Sequence, residues 1–454
     1  MREATTLEKP VSPWPVRCLN RSAALAERAG LGPKPLTAAK LIARARDRYG
    51  LDDFGPGDFF EPLSRLLESA QRDARLNLVG KFALYADTLQ CLRNRLFLQR
   101  DRKHHPEIDK EEVRAPVFIL GLPRTGTTIL HTLLAADPQH QAPLTWQVME
   151  PSPLGNSQEG ERIRRTNRSL QGLRWLAPDF PRLHAIGARL PQECVSLTSL
   201  SFLSDQFDTM YNIPSYRTWY LQQSMAPAYE CHRRFLQHLQ FGRQPRRWVL
   251  KAPAHMFALR DLLSIYPDAT FVQTHRAPLD AITSVSSLVT MLRRIFSDSA
   301  DPSLIGREAL SYWADATERF MGERDRLSGE RVLDLSYDAI KRDPMDAVRR
   351  VYDHFNWSLS EETDAVMRRV LAAQPADQTS FHRYQPSQFG LRGSEVERLF
   401  GNYCARFGVP AQENAQSPGP SIEEETIDFS LGKSDTRNGS SVIPLGDERR
   451  AAVG

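Results

Sequence analysis

The chain has 454 residues, of which 41% are hydrophobic and 25% charged, an ordinary balance for a soluble globular protein. Its formal net charge of +4 is too small at this length to argue for nucleic acid, although basic residues can still be gathered at an anion site. The five cysteines (18, 91, 194, 231 and 404) show no CxxC spacing, which argues against a zinc site or disulfide framework, and no apolar run approaches the ~18 residues of a membrane span.

Taken in chain order, residues 1–35 contain prolines and no periodicity, and read as an arm lying on the surface. The opening "MREATTLEKPVSPWPV" lacks the apolar core of a secretory signal, so the sequence predicts a cytoplasmic protein. Residues 36–114 place apolar side chains at helical spacing in "LTAAKLIARARDRYG", "FFEPLSRLLESAQ" and "LVGKFALYADTLQCLRNRLFLQR", and predict a helical extension. From residue 115 the pattern becomes short apolar runs alternating with helical ones. "PVFIL", "RWVLK", "TFVQTH" and "RVLDLSY" have the make-up of buried parallel strands. Strand and helix in alternation predict a three-layer α/β domain with a mostly parallel sheet over 115–410, whose ligand site lies beyond the carboxyl ends of the strands. Residues 151–247 read as a helical insertion over that site. Residues 411–454 are polar and rich in Ser, Pro and Gly, and predict a disordered tail.

The stretch "VFILGLPRTGTTILHTLL" is the first with chemical content. A strand runs into Gly121, four residues, Gly126, Thr127 and Thr128, and then a helix, as in a phosphate-binding loop. Free backbone N–H groups at such a junction stabilise an anion. The nucleotide-hydrolase loop carries Lys where this chain has Thr127, and here the cation is Arg124 inside the loop. Its planar fork suits a pair of phosphate or sulfate oxygens. The plain alternative is a Gly-rich turn between strand and helix. In "TFVQTHRAPLDAITSVSS", Arg276 follows a strand and Ser284 lies eight residues on. As a pair they can hold a further phosphate; singly, each is also an ordinary strand-end or helix residue.

"LPRTGTT" together with "THRAPLDAITSVSS" resembles the sulfotransferases that use 3′-phosphoadenylyl sulfate, in their bacterial-type branch. The resemblance covers roughly residues 115–409 and implies a P-loop-like fold. It implies that the loop (Arg124, Thr125, Gly126, Thr127, Thr128) holds the 5′-phosphosulfate, and that Arg276 and Ser284 hold the 3′-phosphate. "RVLDLSYDAIKRDP" is similar to a later segment of the family and implies that Tyr337 lies by the adenine. "SFHRYQPSQFGL" stands where the family places its last 3′-phosphate contacts, with Arg383 as the loosest match. The donor would be a co-substrate, with no metal. Cytosolic members carry Lys where this chain has Arg124; an arginine cannot hand over a proton, so Arg124 is assigned charge stabilisation.

For the acceptor's proton, "RWVLKAPAHMF" offers Lys251 at a strand end, as a cation beside the bridging oxygen, and His255 four residues on. Placed at a helix start, His255 would stay neutral and able to accept a proton. The rival base is Glu193 in "RLPQECVSL", which could equally cap a helix or orient His255. The aromatics of the insertion (Trp175, Phe180, Phe202, Phe207, Tyr211, Tyr216, Trp219, Tyr220) suggest an apolar cavity for a small hydrophobic alcohol, phenol or lipid-like acceptor, or else the insertion's own core. The leading expectation is in-line sulfuryl transfer to a hydroxyl, or less favourably an amine. The alternatives are a P-loop small-molecule kinase and a non-catalytic adenine-nucleotide binder. The oligomeric state, a homo-oligomer included, is left open.

Overall fold

The computed structural model describes residues 12–32, 35–153, 158–178, 180, 185–373 and 385–413. Its centre is a five-stranded sheet: β1 (Val117–Gly121), β2 (His140–Gln141), β3 (Arg247–Lys251), β4 (Thr270–His275) and β5 (Val332–Ser336). The order is β2-β3-β1-β4-β5 and every neighbouring pair is parallel. All five residues of β1 are buried, as the continuous apolar run requires of a strand covered on both faces. The four longer strands are those expected from their sequence. The two-residue β2 gave no periodic signal.

Alternation along the strands sorts the core into two layers. Val117, Ile119, Val249 and Val272 pack with Leu130, Leu134, Val348 and Val351 on one face. Phe118, Leu120, Leu250 and Phe271 pack on the other with Phe235, Leu236, Met256 and Tyr266. The three-layer α/β architecture is therefore present.

The N-terminal part is helical: α1 (Trp14–Arg28), α2 (Ala38–Tyr49), α3 (Phe60–Arg72) and α4 (Leu78–His104). Helix α1 lies where the sequence suggested an irregular arm. Its prolines stand at the helix start, where the missing N–H costs nothing, and Val16 is its one buried residue, so the periodic signal was weak. Helix α4 is stapled to the far helix Pro278–Phe296: the Asn77 amide donates to the Ile295 carbonyl at 3.1 Å and Asn77 N–H to the Phe296 carbonyl at 3.0 Å. Gly80 approaches so closely that a Cβ there would stand 2.0 Å from the Phe296 carbonyl oxygen. Residues 151–247 contain the helices Glu159–Leu176, Gln206–Tyr211, Pro214–Tyr220 and Ala226–Gln240. Among the described residues no helix is long and apolar enough to cross a membrane.

Candidate active site

Because the strands run parallel, β1, β3, β4 and β5 all end at the same edge of the sheet. The residues at or just beyond those ends are the loop 122–128, Lys251, Arg276 and Tyr337. Four segments distant in sequence thus meet in one cleft, as is usual for open α/β sheets. Arg124, Gly126, Thr127, Thr128, Glu193, Lys251, Arg276 and Tyr337 all line one cavity of about 740 Å³.

The loop owes its shape to a few residues. Gly121 has φ +135° and Gly126 φ +84°. Arg124, with a side chain, also sits at positive φ (+69°), a conformation that surrounding contacts must hold. One of those contacts is Arg276, whose Nη1 donates to the Arg124 carbonyl at 3.0 Å. Thr125 faces away from the cavity: its hydroxyl donates to the Leu122 carbonyl at 2.6 Å and meets the Thr274 hydroxyl at 2.6 Å, fastening the loop to β4. Helix α5 (Thr127–Leu134) begins directly after Gly126 and presents its first N–H groups to the cleft.

Arg124 Nε donates to the Ser284 hydroxyl at 3.1 Å and so joins the loop to the helix Pro278–Phe296, whereas the sequence paired Ser284 with Arg276. The Arg276 guanidinium lies 4.3 Å from the ring centre of Tyr337, a cation–π contact. Tyr337 itself packs near Gly126, where an added Cβ would stand 3.4 Å from its ring. Arg383, the remaining candidate on this side, lies outside the described residues, as do residues 414–454.

On the insertion side, Gln192 N–H donates to the Pro143 carbonyl at 2.7 Å and Cys194 N–H to the Lys251 carbonyl at 2.9 Å. These two bonds pin residues 192–194 against the end of β3 and set the Glu193 carboxylate on the Lys251 ammonium, with which it forms an ion pair. Lys251 Nζ also lies 3.4 Å from the Thr128 hydroxyl. The lysine side chain is 3% exposed and the glutamate 23%. Both line the cavity, and the carboxylate is the more exposed of the two.

His255 is not brought to this cavity. It sits on the 3₁₀ turn Pro253–Phe257, which is not continuous with the helix Leu259–Ile265, so the helix start expected to hold it is absent. Its ring points into the core, 2% exposed, edge-on to Phe118 at 5.0 Å and with Nδ1 2.9 Å from the Tyr229 hydroxyl. Burial, with neighbouring His232 adding to it, holds the imidazole well below its usual range. The sequence signal here was proximity to Lys251 in the chain, and the turn rotates the two side chains apart. His131 is buried with Nε2 3.1 Å from the Val249 carbonyl.

Beyond Glu193 one wall of the cavity is apolar. Val285, Leu288, Val289, Leu292 and Phe296 line it at helical spacing along one face of Pro278–Phe296, joined by Ile305, Tyr312 and Trp313. Of the eight aromatics singled out in the sequence, Phe180 and Tyr220 line the cavity. Phe202, Phe207, Tyr211 and Tyr216 form the core of the insertion instead, and Trp175 is 55% exposed.

The cavity is also lined by a carboxyl that the sequence did not single out. Asp208 and Glu308 are each paired with both Arg217 and Arg293, at 3.0–3.2 Å. Asp205 lines the cavity next to this balanced quartet, and its Oδ1 is buried without a hydrogen-bond partner. Burial first, then the charges of Glu193 and Asp208, push this carboxyl up to about 7. Between its ordinary value of 3.8 and about 7, the folded chain keeps a proton that the unfolded chain has lost, so stability falls as pH rises through that window. Asp205→Asn should therefore raise the melting temperature at pH 8 by roughly 2 °C or more and leave it nearly unchanged at pH 4. An equal shift at both pH values would show that Asp205 does not titrate in this way.

Comparison with known proteins agrees with this geometry. Residues 116–361 match the model of the sulfotransferase family. The crystal structure of sulfotransferase STF1 from Mycobacterium tuberculosis H37Rv is similar to this chain, with 32% identity and a TM-score of 0.71 over 81% of this chain and 99% of that one. Sulfotransferase STF9 from Mycobacterium avium gives 27% identity and a TM-score of 0.73 over 82% and 97%. The omega-hydroxy-beta-dihydromenaquinone-9 sulfotransferase Stf3 of Mycobacterium tuberculosis (strain CDC 1551 / Oshkosh) is 25% identical over 314 residues, 64% of this chain and 75% of that protein. The family match takes in β1 to β5 and every cleft residue described above, and on it the chain belongs to the sulfotransferase family, as an enzyme of sulfuryl transfer.

Proposed function

We propose that this enzyme moves a sulfuryl group from 3′-phosphoadenylyl sulfate to the hydroxyl of an apolar acceptor, lipid-like or aromatic, with an amine as the lesser alternative. The observation that carries the proposal is a single cavity that joins an anion cradle to an apolar channel, with Lys251 and Glu193 where the two meet. In this scheme the loop N–H groups, Thr127 and Thr128 hold the 5′-phosphosulfate. Arg276 and Ser284 take the 3′-phosphate, and the Tyr337 ring borders the adenine.

The acceptor hydroxyl enters from the channel and gives its proton to the Glu193 carboxylate as its oxygen bonds to sulfur. The bond from sulfur to the bridging oxygen breaks on the opposite side, and the bisphosphate leaves with the electron pair. Lys251 and Arg124 stabilise the charge that builds on the bridging and sulfuryl oxygens; fixed cations in a closed site contribute most when they need no reorganisation. The apolar stripe of Pro278–Phe296 supports a hydrophobic acceptor. So does the relative named for a hydroxylated menaquinone, which is an apolar alcohol.

The donor assignment is tested by thermal shift and calorimetry with 3′-phosphoadenosine 5′-phosphate, 5′-AMP and ATP. The bisphosphate should bind at least ~10-fold more tightly than 5′-AMP, a difference of ~1.4 kcal/mol, which one charge-assisted contact to the 3′-phosphate can supply. Arg276→Ala should erase most of that preference and leave 5′-AMP binding little altered. Equal binding of the two nucleotides, or a clear preference for ATP with magnesium, would sink the assignment.

A further inference from the structure

The donor reading gives Arg276 a phosphate to hold, yet its guanidinium already holds a carboxylate from its own chain. Arg276 Nε donates to Glu413 Oε1 at 2.7 Å. Residues 409–413 follow the helix Gly393–Phe407 and cross the first turn of Pro278–Phe296. Two bonds from main-chain N–H groups fix the crossing: Leu279 N–H donates to the Ala411 carbonyl at 3.0 Å, and Glu413 N–H donates to the side-chain Oδ2 of Asp280 at 2.8 Å. The Glu413 side chain remains 38% exposed. A firmly placed segment thus reaches Arg276 through a single, solvent-accessible ion pair.

Asp280 adds a second carboxyl at the same place. Its pKa is raised, by burial first, and the charge of Glu413 acts in the same direction. Two acidic groups therefore face one guanidinium, whose Nη1 is meanwhile committed to the Arg124 carbonyl. An arriving phosphate would bring further negative charge into a place where like charges already crowd, and the two anions cannot share the Nε donor.

We propose that residues 409–413 form an autoinhibitory strap, in which the Glu413 carboxylate occupies the anion position at Arg276 and the 3′-phosphate of the donor nucleotide enters by displacing it. This rests on the donor reading above. The strap makes the site answer to the 3′-phosphate in particular: a nucleotide that lacks it leaves the ion pair intact, and one that carries it frees residues 409–413. The closed strap lowers apparent affinity by the fraction of molecules in which Arg276 is free.

Two measurements on the full chain test this. In calorimetric titration, Glu413→Gln should tighten binding of 3′-phosphoadenosine 5′-phosphate by about 5-fold or more and leave 5′-AMP within about 2-fold of wild type. In hydrogen exchange of the wild type, the bisphosphate should speed exchange at the amides of Leu279 and Glu413, and 5′-AMP should not. If Glu413→Gln leaves bisphosphate binding unchanged or weaker while Arg276→Ala still weakens it, the strap is overturned and the donor reading stands. If wild type and Glu413→Gln both fail to prefer the bisphosphate and Arg276→Ala changes nothing, the donor reading itself falls and the strap with it.

Discussion

Glu193→Gln should lower the turnover number by at least ~10²-fold, the usual contribution of a positioned general base, with bisphosphate binding close to wild type. The rate is read as bisphosphate released from 3′-phosphoadenylyl sulfate against a panel of long-chain alcohols and phenols. Glutamine keeps the size of the side chain and an oxygen facing Lys251, but it cannot take the acceptor's proton. Losing the carboxylate also leaves the Lys251 ammonium, 3% exposed, without its countercharge, so the melting temperature must be followed alongside. The comparison that decides the assignment is His255→Ala. That variant removes a buried ring and the partner of the Tyr229 hydroxyl, and should cost about 1–3 kcal/mol of stability with turnover within a few-fold of wild type. A folded His255→Ala protein with crippled turnover, beside a near-normal Glu193→Gln, would return the role of base to the histidine.

Gly121→Ala should be among the most damaging single methyl additions to this chain. The added Cβ would stand 2.4 Å from the Thr274 carbonyl oxygen and 2.7 Å from its hydroxyl, at a φ of +135° that alanine rarely adopts. Neither atom belongs to a flexible side-chain end, so β1 and β4 would have to separate at the edge where the loop begins. A loss of about 3 kcal/mol or more is expected from strain and clash together, with nucleotide binding weakened in whatever protein folds. Gly401→Ala is the control. It lies in the helix Gly393–Phe407 with nothing within 4 Å of its Cβ position, and should stabilise slightly. A Gly121→Ala protein melting within a degree of wild type would show that the loop's entry has slack.

The four longer strands were legible because each holds a short apolar run next to a turn or helical segment, and the loop because glycine spacing and helix start fall together in one stretch. Arg276 and Tyr337 were legible for a related reason: both follow a strand directly, so finding the strands placed them at the right edge of the sheet. Lys251 benefits from the same logic. Its neighbour His255 does not, because the 3₁₀ turn that starts at Pro253 sets the ring against Phe118 in the core, and spacing along the chain holds no record of that turn. Glu193 reaches the cleft through two main-chain bonds to Pro143 and Lys251, which leave no trace in side-chain identity. Asp205 was invisible for want of any motif; its character comes from burial beside charges that are already balanced. The aromatic-rich insertion misled for a compositional reason. Large rings serve a core as well as a cavity, and the channel wall is made chiefly by the aliphatic face of Pro278–Phe296.

The staple between Asn77 and the end of Pro278–Phe296 has a consequence for how the enzyme is made. The two ends of that contact are 218 residues apart in the chain. At ~5–20 residues per second, a ribosome needs roughly 10–40 s to deliver the second after the first. Throughout that interval the face of α4 that will meet the channel wall has no partner. Leu84, Leu89 and Leu92, all buried in the finished protein, belong to this helix and are synthesised long before its distant partner. The acceptor channel therefore cannot form until the chain has been made through the helix Pro278–Phe296, long after α4 is complete.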